Sequence, residues 1–367
     1  MADALTQLTE LGVSIWLDDL SRSRLESGNL ATLMATRSVR GVTTNPAIFE
    51  KAISQGASDY AAALRECATA GLDADATIRR LTTDDVRRAC DLLLPVYEAS
   101  DGADGRVSIE VDPRLAHDTE ATVVQALDLW RIVDRPNCMI KVPATKAGLP
   151  AIRRIVAAGV SVNVTLIFSV ERYREVVAAY ADGLRSAASN GLALGGIRSV
   201  ASVFVSRVDS VVDPALDAIG SELATELRGS AAIANARLVW AANLAMHDDP
   251  AWRALAASGA HRQRPLWAST GVKDPQYDDT RYVIELAVAG SVNTVPAATL
   301  EAVADHGHVG GDTVTPNLAA AEATWQSLEA LGVSRTAVCD RLEREGVQQF
   351  IDAWERLRAT VADALAH

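Results

Sequence analysis

One lysine in this chain of 367 residues stands where a lysine is costly. Lys141 lies inside the apolar run Cys138–Pro143, whereas the other three lysines are predicted to fall in loops or on a surface helix. Burial strips water from an ammonium group and favours the neutral amine, which is a nucleophile that can form a Schiff base with a carbonyl substrate. The structural alternative is that Lys141 extends its tip to solvent or pairs with Glu110 on the preceding strand. The poorer candidates are Lys51, Lys146 and Lys273.

Polar side chains also stand at the ends of the other apolar runs. A buried polar side chain is costly unless it is used, and barrels of parallel strands carry their catalytic groups at the C-terminal strand ends. Any single residue could merely cap a strand or bind a loop, but a polar residue at every end indicates a common site. These residues are Asp18, Asn45, Glu110, Asp112, Lys141, Asn163, Thr165, Ser202, Ser269 and Asn293. Because side chains alternate along a strand, Thr43 shares a face with Asn45.

Schiff-base chemistry also requires groups that move protons. Loss of the carbinolamine hydroxyl, cleavage of a carbon–carbon bond and hydrolysis of the imine each transfer one. Asp18 and Glu110 can supply two carboxylates, and Thr165 could share a water molecule with Glu110. The structural alternative for Asp18 is that it caps the following helix together with Asp19.

Eight short apolar runs alternate with helix-patterned segments and predict the elements that position these residues. The runs are rich in Val and Ile, as expected of parallel strands covered on both faces. They span 13–18, 39–45, 106–112, 138–143, 160–168, 198–205, 265–269 and 291–296. This alternation predicts an α/β fold, a (β/α)8 TIM barrel. The competing doubly wound sheet is disfavoured, because no Gly-x-Gly-x-x-Gly turn follows the first run.

Helical insertions and a C-terminal helical extension are predicted around this barrel. Residues 46–105 should hold two or three helices, with Pro95 ending the last one and Asp101-Gly102 turning the chain. A second helical insertion is expected at 207–264. The helical segment 317–365 is predicted to pack on the barrel or to reach over its mouth. We expect one domain spanning 1–367, with its strands between about 13 and 296.

Composition and charge exclude several classes of partner. The apolar fraction of 49% with 22% charged residues is typical of a globular protein. A net charge of −12 disfavours binding to nucleic acid or to an anionic membrane surface. The most apolar stretch, 160–170, is too short to span a bilayer, and the N-terminus lacks a signal-peptide pattern. We therefore expect a cytoplasmic protein.

Neither a metal nor an organic cofactor is predicted. His306 and His308 lie in a Gly-rich loop without a Glu or Cys at ligand spacing, and the four cysteines form no Cys-x-x-Cys pair. Walker-type phosphate loops and Gly-x-Ser-x-Gly elbows are also absent from the sequence.

The strand-end segments, taken in order, resemble those of the transaldolase family, in its longer bacterial form. The matching segments are Trp16–Asp18, Thr43–Pro46, Ser108–Asp112, Ile140–Thr145, Asn163–Ser169, Ser202–Arg207 and Ala268–Thr270. They cover nearly the whole barrel. Two departures occur: Val203 and Ser206 replace a proline and a glycine of the family pattern, and three residues separate Ser269 from Lys273.

This resemblance implies roles for individual residues. It implies that Lys141 forms the Schiff base, that Asp18 is the acid and base at the cleaved bond, and that Glu110 and Thr165 handle the water of imine formation and hydrolysis. Thr43, Asn45, Asn163 and Ser202 would hold sugar hydroxyls, and Arg207, Ser269 and Lys273 would meet the phosphate.

The resemblance also implies an activity and its substrates. The family moves a dihydroxyacetone unit from sedoheptulose 7-phosphate or fructose 6-phosphate to an aldose phosphate, in the non-oxidative pentose phosphate pathway and without a cofactor. The partners would be small sugar phosphates, with no nucleic acid or membrane, and the protein would be a monomer or homodimer.

Three alternatives stay open from the residues alone. A class I aldolase would use the same lysine and release a free three-carbon product. A glycosidase would use Asp18 and Glu110 and would not need Lys141. A non-catalytic barrel would bind sugar phosphates without a covalent adduct.

Overall fold

Eight parallel strands close into a barrel in the computed structural model, which describes residues 3–366, the side chain of His247 excepted. Each strand pairs with the next along the chain, and β8 pairs with β1. The strands are β1 (Ser14–Leu17), β2 (Val39–Val42), β3 (Arg106–Glu110), β4 (Cys138–Pro143), β5 (Val162–Ile167), β6 (Ser199–Phe204), β7 (Arg264–Ala268) and β8 (Val292–Val295). The predicted (β/α)8 barrel is confirmed.

Seventeen α-helices occur in the described residues, and most of them surround the barrel. The first ten are α1 (Ala4–Glu10), α2 (Arg22–Glu26), α3 (Asn29–Thr36), α4 (Pro46–Gln55), α5 (Ala57–Thr69), α6 (Ala74–Ala99), α7 (Thr119–Val133), α8 (Gly148–Ala157), α9 (Val170–Ser189) and α10 (Ser206–Ile219). The others are α11 (Glu222–Glu226), α12 (Ala231–His247), α13 (Pro250–Ala257), α14 (Arg281–Ile284), α15 (Ala297–His306), α16 (Leu318–Ala330) and α17 (Arg335–Ala366). Short 3₁₀ turns lie at Pro113–Leu115 and Thr315–Asn317.

Burial on both faces explains why the strands carry so few exposed positions. With the exception of Arg40 and Arg264, every strand residue is buried, because the outer face packs on helices while the inner face fills the barrel. The interior is tight near Trp16: a Cβ built on Gly41 would lie 2.6 Å from the Trp16 ring, so only glycine fits there.

The first insertion holds three helices, but its last helix does not end where the sequence indicated. Pro95 lies inside α6, which continues to Ala99, so the prediction that Pro95 ends this helix was wrong. Proline has no backbone N–H, so the hydrogen bond that residue 95 would otherwise donate to the carbonyl of Asp91 is missing. Both residues are exposed, so water can serve that carbonyl and the helix tolerates the interruption. Asp101 and Gly102 then turn the chain with positive φ angles of 50° and 72°.

The long helix α17 crosses the C-terminal ends of the strands, where it packs on α4, α5, α6 and α10. Gly346 lets it approach β5, since a Cβ at this position would lie 3.0 Å from Leu166 Cδ2. The prediction of a helical extension near 317–365 is therefore confirmed, and this extension reaches the mouth of the barrel. None of the helices described is long and apolar enough to cross a membrane.

Candidate active site

Lys141 projects from β4 into the barrel and is the one buried lysine among the described residues. Lys141 is only 4% exposed, whereas Lys51, Lys146 and Lys273 are exposed. The ammonium donates a hydrogen bond to the carbonyl of Thr44 at 3.1 Å, and Glu110 Oε2 lies 3.4 Å from its Nζ atom. Pairing with Glu110 was foreseen as a structural alternative. The pair nevertheless leaves the amine beside a cavity, which is where a reactive carbonyl would have to enter.

Asp18 follows β1 and is held by the strand-end threonines. Thr43 Oγ1 donates a hydrogen bond to Asp18 Oδ1 at 2.6 Å, and Thr43 Oγ1 also lies 2.6 Å from Thr294 Oγ1. Burial raises the pKa of Asp18, while Lys141 and the Thr43 hydroxyl oppose this shift. A carboxyl group tuned in this way suits proton transfer.

Asp18 does not cap the next helix. Ser21 is the N-cap of α2, its Oγ accepting from the amide of Arg24 at 3.1 Å, and Asp19 pairs with the Arg24 side chain. The capping alternative for Asp18 and Asp19 was therefore wrong. Asp18 is left facing the cavity, where it has no structural task beyond the Thr43 hydrogen bond.

Glu110, at the end of β3, is deeply buried and only partly paired. Burial raises its pKa to about 7, while the Coulombic attraction and hydrogen bond of Lys141 oppose the shift. Oε2 has no well-aligned hydrogen bond among the described residues, and the same is true of the buried hydroxyl of Thr165 on β5. Unsatisfied buried polar atoms are rare in proteins and call for an explanation such as a bound water or a reacting group.

Asn163 and Ser202 form a separate hydrogen-bonded chain across three strands. Asn163 Nδ2 donates to Ser108 Oγ at 3.0 Å, and Ser202 Oγ donates to Asn163 Oδ1 at 2.6 Å. Both residues are almost fully buried. Asn45 is placed by its own helix, since its Oδ1 accepts from the amide of Ile48 at 2.9 Å and caps α4.

Two cations without a carboxylate partner lie at the other side of the mouth. The Arg207 guanidinium stacks over the Phe204 ring at 5.1 Å and the Phe350 ring at 6.0 Å, and burial lowers its pKa. Neither Arg207 nor Lys273 makes an ion pair among the described residues. Ser269 is close by, with a φ of 55° and its Oγ 3.1 Å from Ser206 Oγ. Cations left unpaired beside hydroxyl groups can bind a phosphate.

A cavity of about 180 Å³ joins these groups. The predicted site residues that line it are Asp18, Thr43, Asn45, Lys141, Ser202, Arg207, Ser269 and Lys273. Glu110, Asn163 and Thr165 are not among its lining residues, although Glu110 touches Lys141. The sequence thus identified most of the lining side chains; of the remaining three, Asn163 and Thr165 are fully buried on β5, and Glu110 lines a neighbouring cavity.

Sequence reasoning missed two residues and misplaced two. Phe350 of α17 lies over the amine, with its ring centroid 5.6 Å from Lys141 Nζ. Thr294 lines the cavity, whereas Asn293, taken as the polar end of β8, donates to the carbonyl of Tyr282 in the outer layer. Asp112 pairs with Arg114 at the rim instead of entering this cavity. The described residues contain no group of three or more His, Cys, Asp or Glu side chains that could hold a metal ion.

Comparison with known proteins bears on this geometry. Residues 15–361 match the family model described as transaldolase/fructose-6-phosphate aldolase. The chain is 58% identical to a transaldolase of Mycobacterium tuberculosis (strain ATCC 25618 / H37Rv) over 354 residues, which are 96% of this chain and 95% of the relative. It is also 58% identical over 364 residues to Transaldolase 1 of Streptomyces coelicolor, covering 99% of this chain and 95% of the relative. A Mycolicibacterium smegmatis transaldolase is 57% identical over 353 residues, with coverage of 96% and 95%.

The relatives named transaldolase extend over nearly the same length as this chain. The chain therefore belongs to the transaldolase/fructose-6-phosphate aldolase family, as an enzyme of the transaldolase type, which is a transferase.

Proposed function

We propose that the protein transfers a dihydroxyacetone unit from sedoheptulose 7-phosphate or fructose 6-phosphate to an aldose phosphate, through a Schiff base on Lys141. The single observation that supports this most strongly is the buried Lys141 amine, which faces a cavity with Asp18 on one side and unpaired cations on the other. The acceptor would be glyceraldehyde 3-phosphate or erythrose 4-phosphate.

The first step joins the ketose to the enzyme. The neutral amine adds to the ketose carbonyl, and the carbinolamine takes up one proton and loses one water molecule to give the protonated imine. Glu110 is the nearest proton carrier, at 3.4 Å from the amine, and a pKa near 7 allows it to give and accept protons at neutral pH. Thr165 would help to hold the departing and attacking water.

The second step breaks the carbon–carbon bond. Asp18 removes the proton from the hydroxyl next to that bond, the aldose phosphate leaves, and the electron pair stays on the enzyme as the enamine. An acceptor aldehyde then adds to the enamine, Asp18 returns the proton, and hydrolysis of the imine frees the new ketose phosphate and the amine.

Substrate recognition follows the polarity of the cavity. Thr43, Asn45, Asn163 and Ser202 would bind sugar hydroxyls by hydrogen bonds. The phosphate would lie against Arg207, Ser269 and Lys273. The two cations among them, Arg207 and Lys273, make no ion pair with a carboxylate among the described residues. This function places the enzyme in the non-oxidative pentose phosphate pathway, where we expect it to act in the cytoplasm without a metal or organic cofactor.

Borohydride trapping tests the covalent step. Treatment with fructose 6-phosphate and borohydride should raise the intact mass by one reduced three-carbon unit, located on Lys141 by peptide mapping. The Lys141→Ala variant should show no mass gain, whereas Lys146→Ala, at an exposed loop lysine, should match the parent. An adduct that persists on Lys141→Ala would overturn the assignment.

A product assay separates the transferase from the related aldolase. With fructose 6-phosphate alone, a transferase releases little free dihydroxyacetone, and added erythrose 4-phosphate should accelerate turnover and yield sedoheptulose 7-phosphate. Equal release of dihydroxyacetone with and without the acceptor would favour the aldolase.

A further inference from the structure

A second cavity, of about 240 Å³, is lined by Glu110, which does not line the substrate cavity. It is enclosed by α4, α6, α7 and α17 together with the end of β3. Ile109 and Glu110 form its barrel side, and Ala76, Gln125 and Trp354 belong to the helices around it. We call it the rear chamber.

The rear chamber and the substrate cavity meet at Glu110 and Asn45. Asn45 is the one described residue that lines both. Glu110 lines only the rear chamber, yet its Oε2 lies 3.4 Å from the Lys141 amine, which lines the substrate cavity. The Glu110 carboxyl group and the Thr44 carbonyl, which accepts a hydrogen bond from the amine at 3.1 Å, therefore separate the amine from the rear chamber.

Two buried polar atoms of the rear-chamber lining are left without a hydrogen bond. Glu110 Oε2 is an acceptor and Trp354 Nε1 is a donor, and neither makes a well-aligned hydrogen bond among the described residues, although Oε2 lies 3.4 Å from Lys141 Nζ. The Glu110 side chain is only 5% exposed. Buried groups of this kind are normally satisfied by ordered water, which needs two to four polar partners and roughly 30 Å³ per molecule. The rear chamber has room for several water molecules.

Charge distinguishes what the two cavities can admit. Apart from Arg79, the charged residues of the rear chamber are acidic: Asp73, Asp75, Glu110 and Asp112. Arg114 pairs with Asp75 and Asp112, and the one cation in the described lining, Arg79, pairs with Asp128. The substrate cavity instead carries Lys141, Arg207 and Lys273 against one carboxylate, Asp18. The rear chamber therefore lacks the excess of cations that a sugar phosphate requires, but it can admit neutral water. Because Asp73 and Arg79 are exposed, the rear chamber is connected to solvent at that rim.

We propose that the rear chamber supplies and removes the water of the Schiff-base steps, through Glu110 and independently of the substrate mouth. In imine hydrolysis one water molecule from the rear chamber adds to the protonated imine carbon and gives one proton to Glu110. Glu110 then gives this proton to the carbinolamine nitrogen and accepts the hydroxyl proton, so that the carbon–nitrogen bond breaks, the ketone forms and Lys141 regains its amine. Imine formation reverses these transfers and returns one water molecule to the rear chamber.

Water needs a separate route to the imine when a substrate occupies the mouth. Phe350 lies over the amine, and a bound sugar phosphate would fill the rest of a cavity of about 180 Å³. Water could not pass a bound substrate without its release. The rear chamber reaches Glu110 through a lining that shares only Asn45 with the substrate cavity among the described residues, so hydrolysis can proceed while the new ketose still occupies the mouth.

Filling the rear chamber tests this proposal, which rests on the Schiff-base chemistry proposed above. Ala76→Phe places a ring into the rear chamber from α6, and Ala99→Phe makes the same change at an exposed position of that helix. The probe is fructose 6-phosphate, which forms the adduct; after dilution without acceptor, its decay is followed by borohydride trapping and intact mass. We expect Ala76→Phe to lengthen the adduct half-life about tenfold, which corresponds to ~1.4 kcal/mol. Ala99→Phe should decay like the parent.

A second pair of variants guards against misfolding of Ala76→Phe. Arg79→Trp narrows the solvent rim, and Arg80→Trp alters an exposed neighbour that does not line the rear chamber. Slower decay in Arg79→Trp but not in Arg80→Trp supports the proposal.

The outcomes separate the two proposals. If adducts form in all variants but the half-lives in Ala76→Phe and Arg79→Trp stay within about twofold of their controls, the rear chamber has no such role, and the lysine chemistry stands. If the unmodified protein forms no adduct at all, the proposed function fails and the rear chamber's role fails with it.

Discussion

The two ends of the barrel both bury polar side chains, but they treat them differently. At the N-terminal end, Asp104 accepts hydrogen bonds from Ser14 Oγ at 2.7 Å, Trp16 Nε1 at 3.2 Å and Arg264 Nη1 at 3.2 Å. Arg264 Nη2 also donates a hydrogen bond to Ser14 Oγ at 2.6 Å, so Ser14, Asp104 and Arg264 form a closed network. Other buried atoms at this end lack a hydrogen bond among the described residues, namely Arg106 Nη2, Asn137 Oδ1, Arg198 Nε and Gln263 Oε1, so the closed arrangement is a property of the Asp104 network.

At the C-terminal end Asp18, Asn163 and Ser202 are hydrogen-bonded, but several polar groups around the Lys141 amine and the mouth are left open. Glu110 Oε2 and Thr165 Oγ1 have no aligned partner among the described residues, and Arg207 and Lys273 have no carboxylate. A satisfied buried network contributes to one rigid arrangement, whereas unsatisfied groups cost stability and remain available to a substrate. The Asp104 network is therefore suited to stability, and the open groups at the mouth are suited to chemistry.

The largest expected effect concerns rate at the open end. Asp18→Asn keeps the acceptor for Thr43 but removes the proton carrier, so turnover should fall by about 10²–10⁴-fold. The borohydride adduct with a three-carbon ketone should still form, because imine formation does not require Asp18. Asp19→Asn, next to it and paired with Arg24, is the matched control. Loss of adduct and turnover to the same degree would show that Asp18 has a structural role.

The closed end should respond in stability instead. Asp104→Ala leaves Arg264 and Ser14 without their shared acceptor and should lower the free energy of unfolding by about 3 kcal/mol. The KM for sugar phosphates should not change. Urea unfolding measures the loss, and Glu66→Ala, which breaks an exposed pair with Arg80, should cost less than about 1 kcal/mol. A large rise in KM for Asp104→Ala would remove the distinction between the ends.

Glu110 should make the stability of the open end depend on pH. Its pKa in the folded protein, about 7, exceeds the ordinary value of 4.5, so folding favours the protonated carboxyl. That contribution is fully present below about pH 4.5 and is lost as the pH rises through about 7. The free energy of unfolding of Glu110→Gln minus that of the parent should therefore be larger at about pH 9 than at about pH 5. The increase should be up to about 3 kcal/mol. A difference independent of pH would contradict a raised pKa.

The same substitution should alter the kinetics. The pH profile of kcat/KM for the parent should carry a limb near neutral pH from Glu110, and Glu110→Gln should lose that limb. A profile that keeps the limb in Glu110→Gln would assign it to another group.

The smallest expected effect lies at the phosphate side of the mouth. Lys273→Ala should raise the KM for fructose 6-phosphate by about tenfold, or ~1.4 kcal/mol, and change kcat little. Dihydroxyacetone transfer from unphosphorylated fructose should be nearly unaffected. Lys51→Ala, at an exposed position of α4, is the control. An equal loss for both sugars would place the phosphate elsewhere.

Much of this arrangement could be predicted because it depends on local patterns. Apolar strands alternating with helices specify the barrel, and a lysine within Cys138–Pro143 can only be buried once that segment is a central strand. Thr294 was missed because a strand face is fixed by register, and a shift of one residue exchanged it for Asn293. Phe350 and the rear chamber could not be found in this way, because both arise where α17 meets elements more than 200 residues earlier in the sequence.

The position of α17 in the chain has a consequence for biosynthesis. All eight strands are translated before residue 296, so the barrel can assemble while the ribosome is still adding the segment that carries Phe350. Until α17 docks, the Lys141 amine lies at an uncovered mouth, open to any small aldehyde in the surrounding medium. Catalytic competence therefore arrives late in synthesis, after the architecture that supports it.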